Sequence, residues 1–158
     1  MDVTNGCVHI FVVDYAVDNF LKSAKLAHTI PSSSGSVTGI AALGNEMFVV
    51  RDRNHSIQVY NTNGINVQRN INICEKSTAF RGLAACEFNQ CLYVSELNYE
   101  TIYKVSPVTN AIVKQWSVNG QPYGVSVNSA HNLLVACFNT RKVQEYTTDG
   151  NMVRERLT

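Results

Sequence analysis

An all-β protein made of repeated four-stranded units is what this sequence predicts, and three observations predict it. A glycine-centred apolar run occurs three times, as Val37-Thr38-Gly39-Ile40-Ala41-Ala42-Leu43, Phe80-Arg81-Gly82-Leu83-Ala84-Ala85-Cys86 and Pro122-Tyr123-Gly124-Val125-Ser126-Val127-Asn128, with the glycines at steps of 43 and 42 residues. Each run is followed by a short polar turn and two further β-rich runs. The first set of these is Met47-Phe48-Val49-Val50, Leu92-Tyr93-Val94-Ser95 and Leu133-Leu134-Val135-Ala136, and the second is Ile57-Gln58-Val59-Tyr60, Ile102-Tyr103-Lys104-Val105 and Val143-Gln144-Glu145-Tyr146. A fourth run closes each copy, at residues 67–73, 112–118 and 152–157. A period of about 40–50 residues built from four short strands is the signature of a β-propeller blade. The expected fold is therefore all-β, with three full blades of four antiparallel strands and a partial N-terminal blade. The expected organisation is one incomplete propeller domain over residues 1–158, divided into a partial blade at 1–35 and blades at 36–78, 79–119 and 120–158.

The elements follow in order. Residues 8–14, Val-His-Ile-Phe-Val-Val-Asp, match a second blade strand, with 19–22 as the third and 26–30 as the fourth. The rival is a helix over 15–28, with Asp14 as N-cap and Val17, Phe20, Leu21 and Ala24 on one face. The repeat favours strands, as a blade that lacks its first strand. Ser32-Ser33-Ser34-Gly35-Ser36 reads as a flexible link between blades. Within the blades, Asn63-Gly64, Asn119-Gly120 and Asp149-Gly150 supply residues that tolerate positive φ, and Pro107-Val108-Thr109-Asn110 serves as the corresponding turn in the second copy. Trp116, in a fourth strand, is expected to pack between blades.

Composition narrows the function classes. The hydrophobic fraction is 45% and only 16% of residues are charged, a balance that suits sheets and turns over a charged helical bundle. The formal net charge of +1 gives no global pull toward nucleic acid or acidic membranes. No apolar stretch approaches the roughly 20 residues that span a bilayer as a helix. Residues 1–5 lack a basic signal-peptide start, so the chain as given reads as cytoplasmic with no membrane partner. Asn54-His55-Ser56 fits the glycosylation acceptor pattern, which matters only to a secreted chain.

Five cysteines, Cys7, Cys74, Cys86, Cys91 and Cys137, are too dispersed for a disulfide framework. Cys86 and Cys91 flank the turn at 87–90 and are placed to face each other across a hairpin. They are the one candidate disulfide, set against two reduced half-buried thiols. His9, His28, His55 and His131 show no ligand spacing, so neither a metal nor a cofactor is expected. Gly39, Gly82 and Gly124 are isolated, once per repeat, and form no phosphate loop.

The pattern of Gly-Ile-Ala-hydrophobic, a turn, hydrophobic-Tyr-Val, then a strand ending in Tyr or Phe resembles the NHL-repeat and related six-bladed β-propellers over residues 36–158. Pro122-Tyr123-Gly124-Val125 is the best match. The acidic residue that this family places at the end of strand two is matched by Asp14 and Glu96 but replaced by Arg51 and Cys137. The Asn before strand three is matched only at Asn54, and Lys142 stands in for an Arg there. The resemblance implies six blades, of which this chain supplies about half. A piece of a longer propeller, an excerpted segment, or two copies completing one ring as a homodimer would each account for that.

Function is expected on the loops. Arg51, Arg53, His55, Tyr99, Tyr123 and Arg141 are the candidate exposed binding residues, with Phe138 read more readily as core. The reading is a non-enzymatic scaffold that binds a protein through its inter-blade loops. Two alternatives stand beside it. One is a propeller enzyme of lyase or hydrolase type, with Asp14, Asp52 and Glu96 at the strand-two ends. The other is an RNA-binding propeller, with Arg51, Arg53, Arg141 and Lys142 as the basic face.

Overall fold

Alternating apolar runs and turn residues produce a chain of strands and nothing else among the described residues. The structure is a computed structural model and describes residues 8–15, 21–30, 35–61, 66–74 and 79–157. The strands β1 (Val8–Tyr15) and β2 (Leu21–Ile30) form a two-stranded antiparallel sheet. Three four-stranded antiparallel sheets follow. The first holds β3 (Val37–Leu43), β4 (Glu46–Arg51), β5 (Ser56–Asn61) and β6 (Asn66–Asn72). The second holds β7 (Phe80–Cys86), β8 (Cys91–Glu96), β9 (Thr101–Ser106) and β10 (Ala111–Ser117). The third holds β11 (Pro122–Val127), β12 (Leu133–Cys137), β13 (Lys142–Tyr146) and β14 (Met152–Leu157). In each, the spatial order is the sequence order, the up-and-down order of a propeller blade.

The N-terminal segment follows the strand reading over its rival helix and corrects one expectation. Residues 21–30 are a strand, so the helix over 15–28 does not form there. The expected strands at 19–22 and 26–30 are one continuous strand, which pairs with β1 from Val8↔Ile30 to Tyr15↔Leu21. No Gly, Pro, Asn or Asp lies between Leu21 and Ile30, so nothing in the chain breaks the strand where the repeat template asked for a turn. Cys7, Ser32, Ser33, Ser34, Asn63 and Gly64 lie outside the described residues.

Two cores lie between the three sheets. Phe48, Val50, Ile57 and Val59 of the first sheet pack with Leu83, Leu92, Val94 and Val105 of the second. Tyr93 and Ile102, which point the other way, pack with Leu133, Val135 and Tyr146 of the third. Successive residues of a strand face opposite sides of its sheet. β8 is therefore buried at all of its residues, because it has a sheet on each side. Its continuous apolar run is the pattern of a strand covered on both faces. Trp116 packs between the second and third sheets, with ring centroids 6.3 Å from Tyr93 and 6.4 Å from Tyr146. The outer strands β10 and β14 are largely exposed.

Candidate functional site

The turns fall at two ends of the sheets. The connections β4–β5, β8–β9 and β12–β13 share one end with the links that lead into β7 and β11, because strands two and four both run toward that end. A backbone bond repeats there in each of the three four-stranded sheets. Asp52 N–H donates to the Ser36 carbonyl at 2.9 Å, Leu97 N–H to Ala79 at 3.0 Å, and Phe138 N–H to Gln121 at 2.9 Å. The bond ties the residue after strand two to the link that precedes strand one. Three of the turns at this end also hold a non-glycine residue in the left-handed region: Arg53 (φ 62°), Glu100 (φ 51°) and Arg141 (φ 53°). Gln90, Asn110 and His131 do the same in the turns at the opposite end, so this conformation belongs to the tight turns of both ends.

The side chains at the end of strand two brace the same joint by different chemistry. Arg51 is fully buried. Its Nε donates to Gln58 Oε1 at 2.8 Å and its Nη1 to the Gly35 carbonyl at 3.3 Å. Expected as an exposed loop cation, Arg51 is instead a structural residue, because its carbonyl and amide partners satisfy a buried guanidinium. Glu96 is also fully buried. Its carboxylate accepts the N–H groups of Ala79 at 3.1 Å, Asn98 at 3.1 Å and Tyr99. The third sheet has buried Cys137 at this position, and Asn139 Oδ1 takes the Gln121 N–H at 2.8 Å instead. Gln144 adds a second tie, with Nε2 donating to the Asn119 carbonyl at 2.7 Å while Tyr146 Oη donates to its Oε1 at 2.6 Å.

One row of side chains crosses all three sheets at this end. Asp52 Oδ1 lies 3.4 Å from Arg81 Nη1, from the first sheet to the second. The Arg81 guanidinium lies 5.8 Å from the centre of the Tyr123 ring, from the second sheet to the third. That is cation–π range, about 0.5–1 kcal/mol at an exposed site. Tyr123 then packs against Phe138, with centroids 6.2 Å apart. Tyr123 is 53% exposed and Phe138 72%. Arg53, His55, Tyr99 and Arg141 are exposed at the same end. Phe138, read from sequence as core, is a surface residue. Arg81 was not singled out by the sequence. The signal was its register, one residue before Gly82, where the other copies carry Thr38 and Tyr123.

Among the described residues, no group of three or more His, Cys, Asp or Glu side chains is placed to hold a metal. Cys86 and Cys91 are register partners across the β7–β8 turn, and no disulfide joins them. Burial pushes the Cys91 thiol above its ordinary value and that of Cys137 up to about 11. No helix among the described residues is long and apolar enough to cross a membrane.

No family model matches the chain, and no curated protein does. Solved structures do. The chain is similar to the WD40 β-propeller domain of Doa1, with TM-score 0.70 and 14% identity over 98% of this chain and 51% of that one. It is similar to virginiamycin B lyase from Staphylococcus aureus, with TM-score 0.69 and 14% identity over 93% and 48% of the two chains. It is similar to Kuenenia stuttgartiensis hydrazine synthase, with TM-score 0.68 and 17% identity over 77% and 36%. The fold is a β-propeller, and the described sheets are blades. The chain spans about half the length of these structures or less. They include enzymes as well as a WD40 domain, so the fold is compatible with either kind of function.

Proposed function

We propose that the chain is an arc of a longer propeller of NHL-like type and a non-enzymatic scaffold that binds a protein segment along its loop end. The observation that carries this is the row Asp52–Arg81–Tyr123–Phe138, which runs across three blades and ends in two exposed aromatic rings. Tyr and Arg are the side chains that most often anchor protein interfaces. Arg53 and Arg141 flank the row with positive charge, which favours an extended segment carrying acidic and apolar residues. The enzyme alternative loses support where Glu96 spends its carboxylate on three backbone N–H groups and Asp52 faces Arg81. The RNA alternative loses support where Arg51 is fully buried and Lys142 Nζ lies 2.7 Å from Glu155.

Selection of a random peptide library on the immobilised chain tests the proposal. Enriched peptides are expected to carry an acidic residue beside an apolar one, and to bind a Tyr123→Ser, Phe138→Ser variant at least about tenfold more weakly, as loss of hot-spot aromatics implies. Peptides that bind that variant equally well would refute the placement of the site. A salt-dependent gel shift with single-stranded RNA, lost in Arg53→Ser, Arg141→Ser, would favour the RNA reading instead.

A further inference from the structure

The three repeat glycines differ in what lies in front of them. A Cβ built on Gly39 would stand 2.8 Å from the nitrogen and 2.9 Å from the Cβ of Leu83, in the following blade. One built on Gly82 would stand 2.9 Å from both the nitrogen and Cγ1 of Val125, again in the following blade. At both places the missing side chain lets one first strand lie against the backbone of the next. Gly124 is the third of the series, and there a Cβ would meet only the Ala136 Cβ, 3.8 Å away in its own blade.

The rest of that face agrees. In β12, Leu133, Val135 and Cys137 are buried toward the second blade, while Leu134 and Ala136 between them are not buried. These two, with Gly124, Ser126 and Val143, line an open apolar cavity of about 360 Å³. Glu145, Arg154 and Arg156 form a polar border beside it. The covered face of the second blade is also stitched forward, with Lys104 Nζ 3.4 Å from Asp149 in the next blade.

We infer that the Gly124 face is a docking surface for one further blade of this repeat, joined in cis after β14, whose first strand lays a branched aliphatic side chain over Gly124. The inference rests on reading the chain as an arc of a longer propeller. The two existing interfaces specify the occupant. In each, the residue presented to the glycine directly follows the next strand's own glycine, as Leu83 follows Gly82 and Val125 follows Gly124. An extended Gly-aliphatic strand is thus the shape that fits.

A graft tests it. A second copy of residues 75–121, which carries Gly82-Leu83, is fused after Thr158. Thermal unfolding is compared for the chain and the extended chain, each with and without Gly124→Leu. The extension is expected to raise the midpoint by about 4 °C or more, on the usual scaling for a domain of this size. Gly124→Leu should abolish that gain without lowering the midpoint of the unextended chain. If the extended protein melts irreversibly, maleimide labelling of Gly124→Cys reads the same face, with labelling at least tenfold slower in the extended chain. Equal midpoints together with equal labelling overturn the inference. So does an unextended chain that dimerises in light scattering and is made monomeric by Gly124→Leu, since the face then belongs to a second copy. Neither measurement reads peptide binding at the loop end, so this inference and the proposed function fail separately.

Discussion

Alanine at Gly82 and alanine at Gly124 should move stability in opposite directions. The added methyl at Gly82 would sit 2.9 Å from Ser95 Oγ, Val125 Cγ1 and Val125 N. Ser95 cannot give way without weakening the Gly82 N–H to Ser95 Oγ bond of 2.7 Å. Val125 cannot give way without parting the second and third blades. Overpacking of this kind costs roughly 1–3 kcal/mol. Against it stands the gain of about 0.4–1 kcal/mol from replacing glycine at a position without positive φ. The net expectation for Gly82→Ala is a loss of about 1–2 kcal/mol. At Gly124 the clash is absent and only the gain remains. For a domain of this size about 1 kcal/mol moves the midpoint by roughly 2–4 °C, so Gly82→Ala should melt about 2–8 °C lower and Gly124→Ala about 1–4 °C higher. Circular dichroism melts with urea titrations at one pH would measure both. A Gly82→Ala protein as stable as the parent would refute the steric account of the repeat glycines. A Gly124→Ala protein that loses as much as Gly82→Ala would show that the third face is already packed in the isolated chain.

Other outcomes follow from the same contacts. Glu96→Ala strips the acceptor from three backbone N–H groups and should lower stability by about 2–3 kcal/mol in urea unfolding, with Glu96→Gln recovering part of it. Tyr146→Phe removes the buried 2.6 Å bond to Gln144 and should lower stability by about 1 kcal/mol. Alkaline unfolding should begin early. Burial raises the Cys137 thiol from 9.0 to about 11 and the Tyr93 hydroxyl from 10.0 to about 12, so the unfolded chain ionises first. Their contribution is intact below pH 9 and falls as pH rises, first through Cys137 up to about 11 and then through Tyr93 up to about 12. Cys137→Ala should flatten the lower part of that decline in urea titrations between pH 8 and 11, and an unchanged slope would remove the thiol from the account.

The blades were legible because one feature, the apolar run with its glycine, is local and occurs three times. β8 and β12 also show what sequence alone could not say. Leu92-Tyr93-Val94-Ser95 and Leu133-Leu134-Val135-Ala136 read alike as runs, yet one is covered on both faces and the other on one. The difference lies in the neighbouring sheet. Residues 21–30 failed the template because Leu21-Lys22-Ser23-Ala24-Lys25 contains no Gly, Pro, Asn or Asp, and cross-strand pairing with β1 overrides the helix preference of its Ala and Lys residues. The site was legible only in part. Tyr99 and Arg141 are exposed in turns as a loop assignment implies, while Tyr123 is exposed from strand β11. Arg51 is buried by partners 7 and 16 residues away in sequence, a pairing no local pattern announces. Arg81 gains meaning only from Asp52 and Tyr123, which stand far from it in sequence, in the preceding and the following blade.

The repeated bonds from Asp52 to Ser36, Leu97 to Ala79 and Phe138 to Gln121 are all made by main chain. A joint fastened by the backbone can be kept while different side chains brace it. The same corner can therefore host an arginine, a glutamate or a cysteine beside it, and an aspartate, a leucine or a phenylalanine upon it, without the blade coming apart. Mutations at this end are free to alter the outward-facing chemistry while the framework beneath stays fixed. Such a corner can drift toward new recognition one blade at a time, each change sampled on a scaffold that still folds.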